Sequence, residues 1–145
     1  MFHVKHFVLK TFVPVRPSPK GRPRINIKTG RVYTPKSTRE AEKKIKAHLK
    51  YAMILNSLIA TESPLKLDLI FCYSRKSAKN KFGYRVGRPD LDNLIKILLD
   101  SANGIVYVDD AQVVEIHATK VYDEMEGIYL SIEEIADGNL HARSD

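Results

Sequence analysis

What the 145-residue chain lacks excludes several classes of protein. No apolar run approaches the roughly 18 residues that cross a bilayer. The opening MFHVKHFVLK has neither the long apolar stretch nor the small-residue cleavage site of a signal peptide. The single cysteine, Cys72, cannot form an internal disulfide, and its place in an apolar strand pattern predicts a buried thiol. We therefore expect a cytoplasmic protein without a membrane segment.

Acidic residues are absent from the first 39 positions, and charge is divided unevenly along the chain. Residues 1–88 carry 21 lysines and arginines against 4 acids, whereas residues 89–145 carry 3 against 13. A surface this basic concentrates polyanions, which points to nucleic acid, although an anionic membrane surface would also be attracted. Against this background, the segment 87–110, GRPDLDNLIKILLDSANGIVYVDD, gathers five aspartates around one lysine.

The order of the expected elements predicts one α+β domain over residues 1–133, in which a mixed sheet packs against two main helices. A short hairpin is expected on either side of KTG, near residue 29. Alternating apolar patterns predict four longer strands, over residues 2–13, 64–74, 112–122 and 127–135.

A long helix is expected over residues 37–57, STREAEKKIKAHLKYAMILNS. A capping-box pattern opens it, because Ser37 or Thr38 precedes acids at positions 40 and 42. Its apolar stripe is expected to consist of Ala41, Ile45, Leu49, Ala52 and either Ile54 or Leu55.

The second helix carries the clustered aspartates. In PDLDNLIKILLDSANG the apolar residues mark a buried face, and the helix is expected to end at Asn103. Asp92, Lys96 and Asp100 lie four residues apart and therefore form one row on another face. Asp90 stands at the N-cap position, where a capping role is its ordinary structural explanation.

The chain geometry suggests that two further aspartates return to the start of this helix. A helix of about 12 residues is roughly 18 Å long, and a strand IVYVDD would cover about 16 to 20 Å. If that strand doubles back, Asp109 and Asp110 come to lie beside Asp90 and Asp92. Four carboxylates would repel one another unless a proton, a cation such as Lys96 or a metal ion offset their charge.

These carboxylates suggest a metal-dependent nuclease. Their oxygens suit Mg²⁺ or Mn²⁺, whereas the scattered histidines and the lone cysteine offer no zinc site. Basic residues would hold a nucleic-acid backbone while the metal ion activates water and stabilises charge on the scissile phosphate. Taken singly, each aspartate also has an ordinary role as a cap, a surface residue or a turn former. The spacing does not choose between Asp109 and Asp110 as a ligand.

Two motifs give the chain a family resemblance. RPDLDNLIKILLDSANG followed by VYVDDAQVVEIHATK resembles the signature of the RusA family of Holliday junction resolvases, small homodimeric endonucleases of bacteria and their phages. PSPKGRPRI and GRVYTPKST also match, so the resemblance spans roughly residues 8–133. It implies a RusA-like fold and a homodimer that uses Mg²⁺ to nick two opposed strands of a four-way DNA junction, in recombination and repair.

Carried over by position, the resemblance implies that Asp90, Asp92 and Asp110 are the metal-binding catalytic carboxylates and that Lys96 is the catalytic lysine. Residues 134–145 lie outside the match and are expected to form a flexible tail. Ten basic residues are expected to bind DNA phosphates and to recognise shape more than bases: Arg16, Lys20, Arg22, Arg24, Arg75, Lys76, Lys79, Lys81, Arg85 and Arg88.

Two other interpretations stay open at this stage. A different metal-dependent nuclease would use the same carboxylates on flaps, forks or plain duplex, and a preference for branched over linear DNA would separate the two. A non-catalytic DNA-binding module would use its aspartates only to cap a helix and to shape a turn. That module would show no dependence on a divalent metal.

Overall fold

The computed structural model describes residues 6–135 and confirms the predicted α+β domain, a mixed sheet with two helices. No helix in this part of the chain is long and apolar enough to cross a membrane. The strands are β1 (Val8–Val13), β2 (Arg24–Ile25), β3 (Val32–Tyr33), β4 (Leu65–Ser74), β5 (Val113–Asp123) and β6 (Gly127–Glu134). The helices are α1 (Lys36–Leu55) and α2 (Leu91–Ala102).

The main sheet has the order β1-β6-β4-β5, and β2 pairs with β3 as the predicted short hairpin. Strand β5 runs parallel to β4, and α2 makes the crossover between them, while β6 is antiparallel to both β1 and β4. The alternation of β4 is confirmed, because its inward row enters the core. This row consists of Leu65, Leu67, Leu69, Phe71 and Tyr73.

Helix α1 begins at Lys36, and no side chain caps its N-terminus. The expected capping box is therefore wrong. Thr38 is buried inside the first turn, and its Oγ1 accepts a hydrogen bond from the N–H of Gly21 at 2.9 Å. The hydroxyl thus anchors the preceding loop to the helix instead of capping it.

The last turn of α1 exposes apolar side chains that the sequence pattern placed in the core. Ile54 and Leu55 are 75% and 64% exposed, whereas Met53 is buried. Each residue turns a helix by about 100°. Met53 therefore stays on the face of Ile45 and Leu49, and Ile54 is turned to the opposite side.

The segment that follows α2 is a tight turn, so the expected strand over residues 105–110 is wrong. The N–H of Gly104 donates to the carbonyl of Tyr107 at 2.8 Å. The buried Tyr107 is in turn held against the helix, because its hydroxyl donates to the carbonyl of Leu99 at 2.6 Å. A 3-10 turn at Asp110–Gln112 then leads directly into β5.

Glu134, the last residue of β6, and Ile135, which follows it, lie beyond the expected domain boundary at residue 133 but within the expected strand 127–135. The N–H of Glu134 donates to the carbonyl of Phe7 at 3.1 Å, and that of Ile135 donates to the carbonyl of Pro64 at 2.9 Å. Both residues therefore belong to the margin of the sheet. The rest of the expected tail, residues 136–145, lies outside the described residues, as do residues 1–5.

Candidate active site

Helix α2 presents Asp92 and Lys96 on its exposed face, opposite the buried residues Leu94 and Leu98. Asp90 occupies the N-cap position, but its side chain makes no capping hydrogen bond. Its exposed carboxylate is therefore available to a ligand. The positive end of the helix dipole favours negative charge in this first turn, which makes the start of α2 a stable place for two carboxylates.

Lys120 of β5 fixes the segment that leads into Asp90. Its Nζ donates to the carbonyls of Gly87 and Pro89, at 2.6 and 2.8 Å. The carbonyl of Lys120 in turn accepts a hydrogen bond from the N–H of Arg85 at 3.1 Å. Sequence reasoning did not identify Lys120. The signal that could have identified it is that this lysine stands in an alternating strand at a position that faces the helices.

Asp100, the third member of the predicted row, belongs to an ion-pair network. Its Oδ2 lies 3.0 Å from the Nζ of Lys20 and 3.7 Å from that of Lys96. The Nζ of Lys20 also lies 2.6 Å from Oε1 of Glu42. Burial opposes the charge of Lys20, but the hydrogen bonds to Glu42 and Asp100 outweigh it and raise the pKa of Lys20. Lys20, expected as a phosphate contact, instead joins the N-terminal loop to both helices.

Asp110 lies at the opposite end of α2 from Asp90. Its N–H donates to Oδ1 of Asn103 at 2.9 Å, and Nδ2 of Asn103 donates back to Oδ2 of Asp110 at 3.4 Å. Asn103 is the C-cap of the 12-residue helix, so a length of about 18 Å separates its two ends. The expected return of Asp109 and Asp110 to the helix start is therefore wrong. Within residues 6–135, no group of three or more His, Cys, Asp or Glu could hold a metal ion.

Gln112 fixes the turn that carries the two adjacent aspartates. Its Oε1 accepts hydrogen bonds from the N–H groups of Val108 and Asp109, both at 3.0 Å. Its Nε2 donates to the carbonyls of Thr61 and Ser63, at 2.8 and 3.0 Å. The carboxylate of Asp109 caps the 3-10 turn that follows it. Asp109 therefore has the turn-forming role that the sequence left open for it.

Tyr73 organises two of the expected DNA contacts. The guanidinium of Arg85 lies 4.1 Å from the centre of its ring, and that of Arg16 lies at 5.6 Å. The hydroxyl of Tyr73 donates to the carbonyl of Pro17 at 3.0 Å, and Arg16 pairs with Glu126 at 3.0 Å. Burial raises the pKa of Tyr73 to about 12. Arg16 and Arg85 thus hold two loops against one ring, a role that sequence reasoning missed.

The other seven expected DNA contacts are exposed and form no ion pair within the part of the chain that the structure describes. These seven residues lie in two loops that border the start of α2. One loop runs into Asp90, and in the other the N–H of Lys20 donates to the carbonyl of Asn93 at 3.2 Å. Exposed cations are suited to bind a phosphate backbone, and here they lie beside two exposed carboxylates. These residues are Arg22, Arg24, Arg75, Lys76, Lys79, Lys81 and Arg88.

Comparisons relate the chain to known proteins. The family model described as endodeoxyribonuclease RusA matches residues 14–133. A crossover junction endodeoxyribonuclease rusA of Lactococcus phage r1t is 42% identical over 73 residues, which cover 50% of this chain and 56% of the phage protein. An uncharacterized protein, YqaN of Bacillus subtilis (strain 168), is 27% identical over 143 residues, which cover 88% of this chain and 97% of that protein. The match thus spans little more than half of the phage protein.

Proposed function

Because the chain belongs to the endodeoxyribonuclease RusA family, we propose that it resolves four-way DNA junctions by paired, symmetric nicks in recombination and repair. The observation that carries this proposal is the pair of exposed carboxylates, Asp90 and Asp92, within a surface of exposed basic residues. The name of the phage relative supports a crossover junction as the substrate. The sources of the relatives, a phage and a bacterium, support the expectation of a cytoplasmic protein in a bacterial or phage-infected cell.

Asp90 and Asp92 have the chemistry that a divalent cation requires. Mg²⁺ prefers carboxylate oxygens, and Mn²⁺ would substitute for it. When bound, such a cation would stabilise the charge that builds on the scissile phosphate and its leaving oxygen. The third carboxylate of the family motif, Asp110, is bonded to Asn103 at the far end of α2. A cation held by Asp90 and Asp92 is therefore out of reach of Asp110 in the same chain.

We propose that a second copy supplies this third carboxylate. If two copies face each other across a two-fold axis with their α2 helices antiparallel, the start of each helix lies beside the end of the other. Asp110 of each copy then approaches Asp90 and Asp92 of its partner, and the two sites are equivalent by symmetry. In this arrangement each set of three carboxylates is complete only in the homodimer, because Asp110 comes from the other copy.

Lys96 is suited to contact the phosphate that is cut. Its side chain is 62% exposed one turn after Asp92. Asp100 already pairs with Lys20 at 3.0 Å, whereas Lys96 lies at the longer distance of 3.7 Å. The ammonium of Lys96 is thus loosely held and would offset charge on a nearby phosphate oxygen.

The test is cleavage of a labelled four-way junction beside a linear duplex of the same sequence, with Mg²⁺ or with EDTA. We expect metal-dependent, paired nicks on the junction alone. Asp92→Asn should abolish these nicks and leave junction binding intact or tighter, because it removes negative charge that repels phosphate. Asp68→Asn is the matched control, since Asp68 is an exposed aspartate of β4 that alternates with the buried Leu67 and Leu69 and so lies on the face of the sheet opposite the core.

Other outcomes would support the competing functions. Equal cutting of the duplex would make the chain a different metal-dependent nuclease. Junction binding without cutting under any divalent metal would make it a DNA-binding module. Loss of folding in Asp92→Asn would give this aspartate a structural role.

A further inference from the structure

The short hairpin of β2 and β3 projects from the N-terminal loop. Every residue from 22 to 33 is exposed, including both strands. Ile25 and Val32, which face each other across the hairpin, are 65% and 67% exposed. An isolated two-stranded hairpin is only marginally stable in water. Other interactions must therefore hold this one in shape.

Hydrogen bonds within the turn fix the tip of the hairpin. The N–H of Asn26 donates to the carbonyl of Arg31 at 2.8 Å, and the N–H of Gly30 donates to the carbonyl of Asn26 at 2.7 Å. Oδ1 of Asn26 also accepts from the N–H groups of Lys28 and Thr29, at 2.9 and 3.3 Å. Gly30 has a φ of 70°, a left-handed conformation that glycine adopts without steric cost. The tip is therefore preorganised although it lies in solvent.

An aliphatic side chain stands at this preorganised tip. Ile27 is 97% exposed, more than any other large apolar residue in the part of the chain that the structure describes. One exposed apolar residue is ordinary on a protein surface. Ile27 differs because a fixed turn holds it at the apex of a projecting element. That position is suited to insertion into a ligand.

The charge around Ile27 indicates the kind of ligand. The hairpin and its base carry four exposed cations, and the first 39 positions of the chain contain no acid. Stable anchoring at an anionic membrane takes more apolar surface than one isoleucine supplies. Isoleucine is, however, one of the residues that DNA-binding proteins insert between base steps, with cations on the phosphates nearby. The four cations are Arg22, Arg24, Lys28 and Arg31.

We propose that Ile27 is a wedge that enters the base stack at the branch point of a DNA junction, while Arg24, Lys28 and Arg31 hold the phosphates around it. This inference rests on the proposed function, because it concerns recognition of the same branched substrate. Stacking is already interrupted where the four arms meet, so opening a base step costs less there than within a continuous duplex. Ile27 therefore favours a junction over a duplex.

The base of the hairpin is tied to the candidate active site. The N–H of Lys20 donates to the carbonyl of Asn93 at 3.2 Å, directly after Asp92. The roughly seven residues from Lys20 to Ile27 span at most about 25 Å. That length equals the rise of about seven stacked bases at about 3.4 Å each. The base step that Ile27 opens thus lies within about seven base pairs of the candidate carboxylates.

The other exposed apolar side chains near the site are held differently. Phe82 and Tyr84, in the loop ahead of α2, are 66% and 63% exposed. The N–H of Tyr122 in β5 donates to the carbonyl of Gly83, between them, at 3.0 Å. The backbone of this loop therefore lies along the edge of the sheet. Its aromatic rings do not stand at the apex of a projecting turn, as Ile27 does.

A fluorescent base at the branch point tests the wedge in the full chain. Aminopurine, an adenine analogue whose fluorescence rises when it is unstacked, is placed either at the branch point or in the middle of one arm. The chain is added in EDTA, which prevents metal-dependent cutting. We expect binding of the wild type to raise the fluorescence of the branch-point probe and not that of the arm probe.

Variants at the tip identify the side chain responsible. We expect Ile27→Ser to remove the rise and Ile27→Leu to keep it. Ile59→Ser is the matched control and should keep it too, because Ile59 is 85% exposed in the segment between α1 and β4. Ile27 is exposed, so Ile27→Ser should unfold at the same urea concentration as the wild type.

Binding measurements provide a second readout. Ile27→Ser should lower the preference for the junction over a linear duplex about tenfold, a factor worth about 1.4 kcal/mol. The slope of log affinity against log salt should stay unchanged, because no cation is removed. Phosphatidylserine vesicles provide the membrane comparison. Vesicle binding that Ile27→Ser abolishes, with junction preference unchanged, would overturn the wedge and assign the tip to a membrane surface.

The wedge and the proposed nuclease can fail separately. If the branch-point fluorescence rises through Ile27 but the wild type cuts no junction with any divalent metal, the wedge is right and the proposed function is wrong. If the wild type cuts junctions but the fluorescence does not rise, or rises equally in Ile27→Ser, the nuclease stands and the wedge is wrong.

Discussion

Two inactive variants should restore activity to each other when they are mixed. Asp92→Asn removes a carboxylate at the start of α2, and Asp110→Asn removes one at its end, about 18 Å away. Mg²⁺ binds its ligands at about 2.0–2.1 Å, so no side chain spans that distance within one chain. In a mixed dimer, one site loses both carboxylates and the other keeps both.

The size of the recovery follows from the symmetry of the dimer. Random pairing of equal amounts makes about half of the dimers mixed, and each of these has one intact site of two. Nicking activity should therefore recover to about a quarter of the wild-type value per chain. Paired nicks should stay near zero, because no dimer in the mixture has two intact sites.

The assay is single-strand nicking of a labelled junction after the variants have been unfolded and refolded together. Each variant alone is the control, and two different affinity tags measure the amount of mixed dimer. If mixed dimers form but nicking does not recover, the carboxylates act within one chain. The assignment of Asp110 to the partner's site would then be refuted.

Further predictions concern single side chains. Lys96→Ala should lower cleavage about 100-fold with little change in junction binding, and equal losses in both would make Lys96 an ordinary backbone contact. Lys20→Met should lower the free energy of unfolding by about 2 kcal/mol, measured by urea denaturation, whereas Lys36→Met, at an 81% exposed residue, should change it little. Junction binding should weaken with salt, and Arg24→Gln should reduce the slope of log affinity against log salt by about 0.9; an unchanged slope would remove Arg24 from the interface. Burial raises the pKa of Cys72 to about 11, so an alkylating reagent near pH 8 should label the unfolded chain and not the native one, and rapid labelling of the native protein would contradict its burial.

The elements that the sequence predicts well are those whose periodicity agrees with their tertiary environment. Strand β4 alternates because one side faces the core and the other does not. Helix α2 has its apolar residues on one face, which is buried, and its acids on the other. The expected strand over residues 105–110 fails for the opposite reason. Val106 and Tyr107 are apolar and buried, but a tight turn holds them against α2. Such a turn produces no periodic pattern of apolar residues in the sequence.

The candidate site could be predicted only in part, because pairing between distant residues decides which charges are free. Lys20 and Arg22 look equivalent in the loop sequence, but only Lys20 meets Glu42 and Asp100. The motif identified the acids of α2, whereas the separation of Asp110 from them depended on how the chain turns after the helix. Spacing along the sequence does not reveal that turn.

The length of α2 has a consequence for where DNA would be cut. In the proposed antiparallel dimer, the two active centres would lie at opposite ends of paired helices, so the residue count of one helix would set the distance between the two scissile phosphates. Each added turn would lengthen that distance by about 5.4 Å. In the proposed dimer, the spacing of the two cuts would therefore be set by the twelve residues of α2.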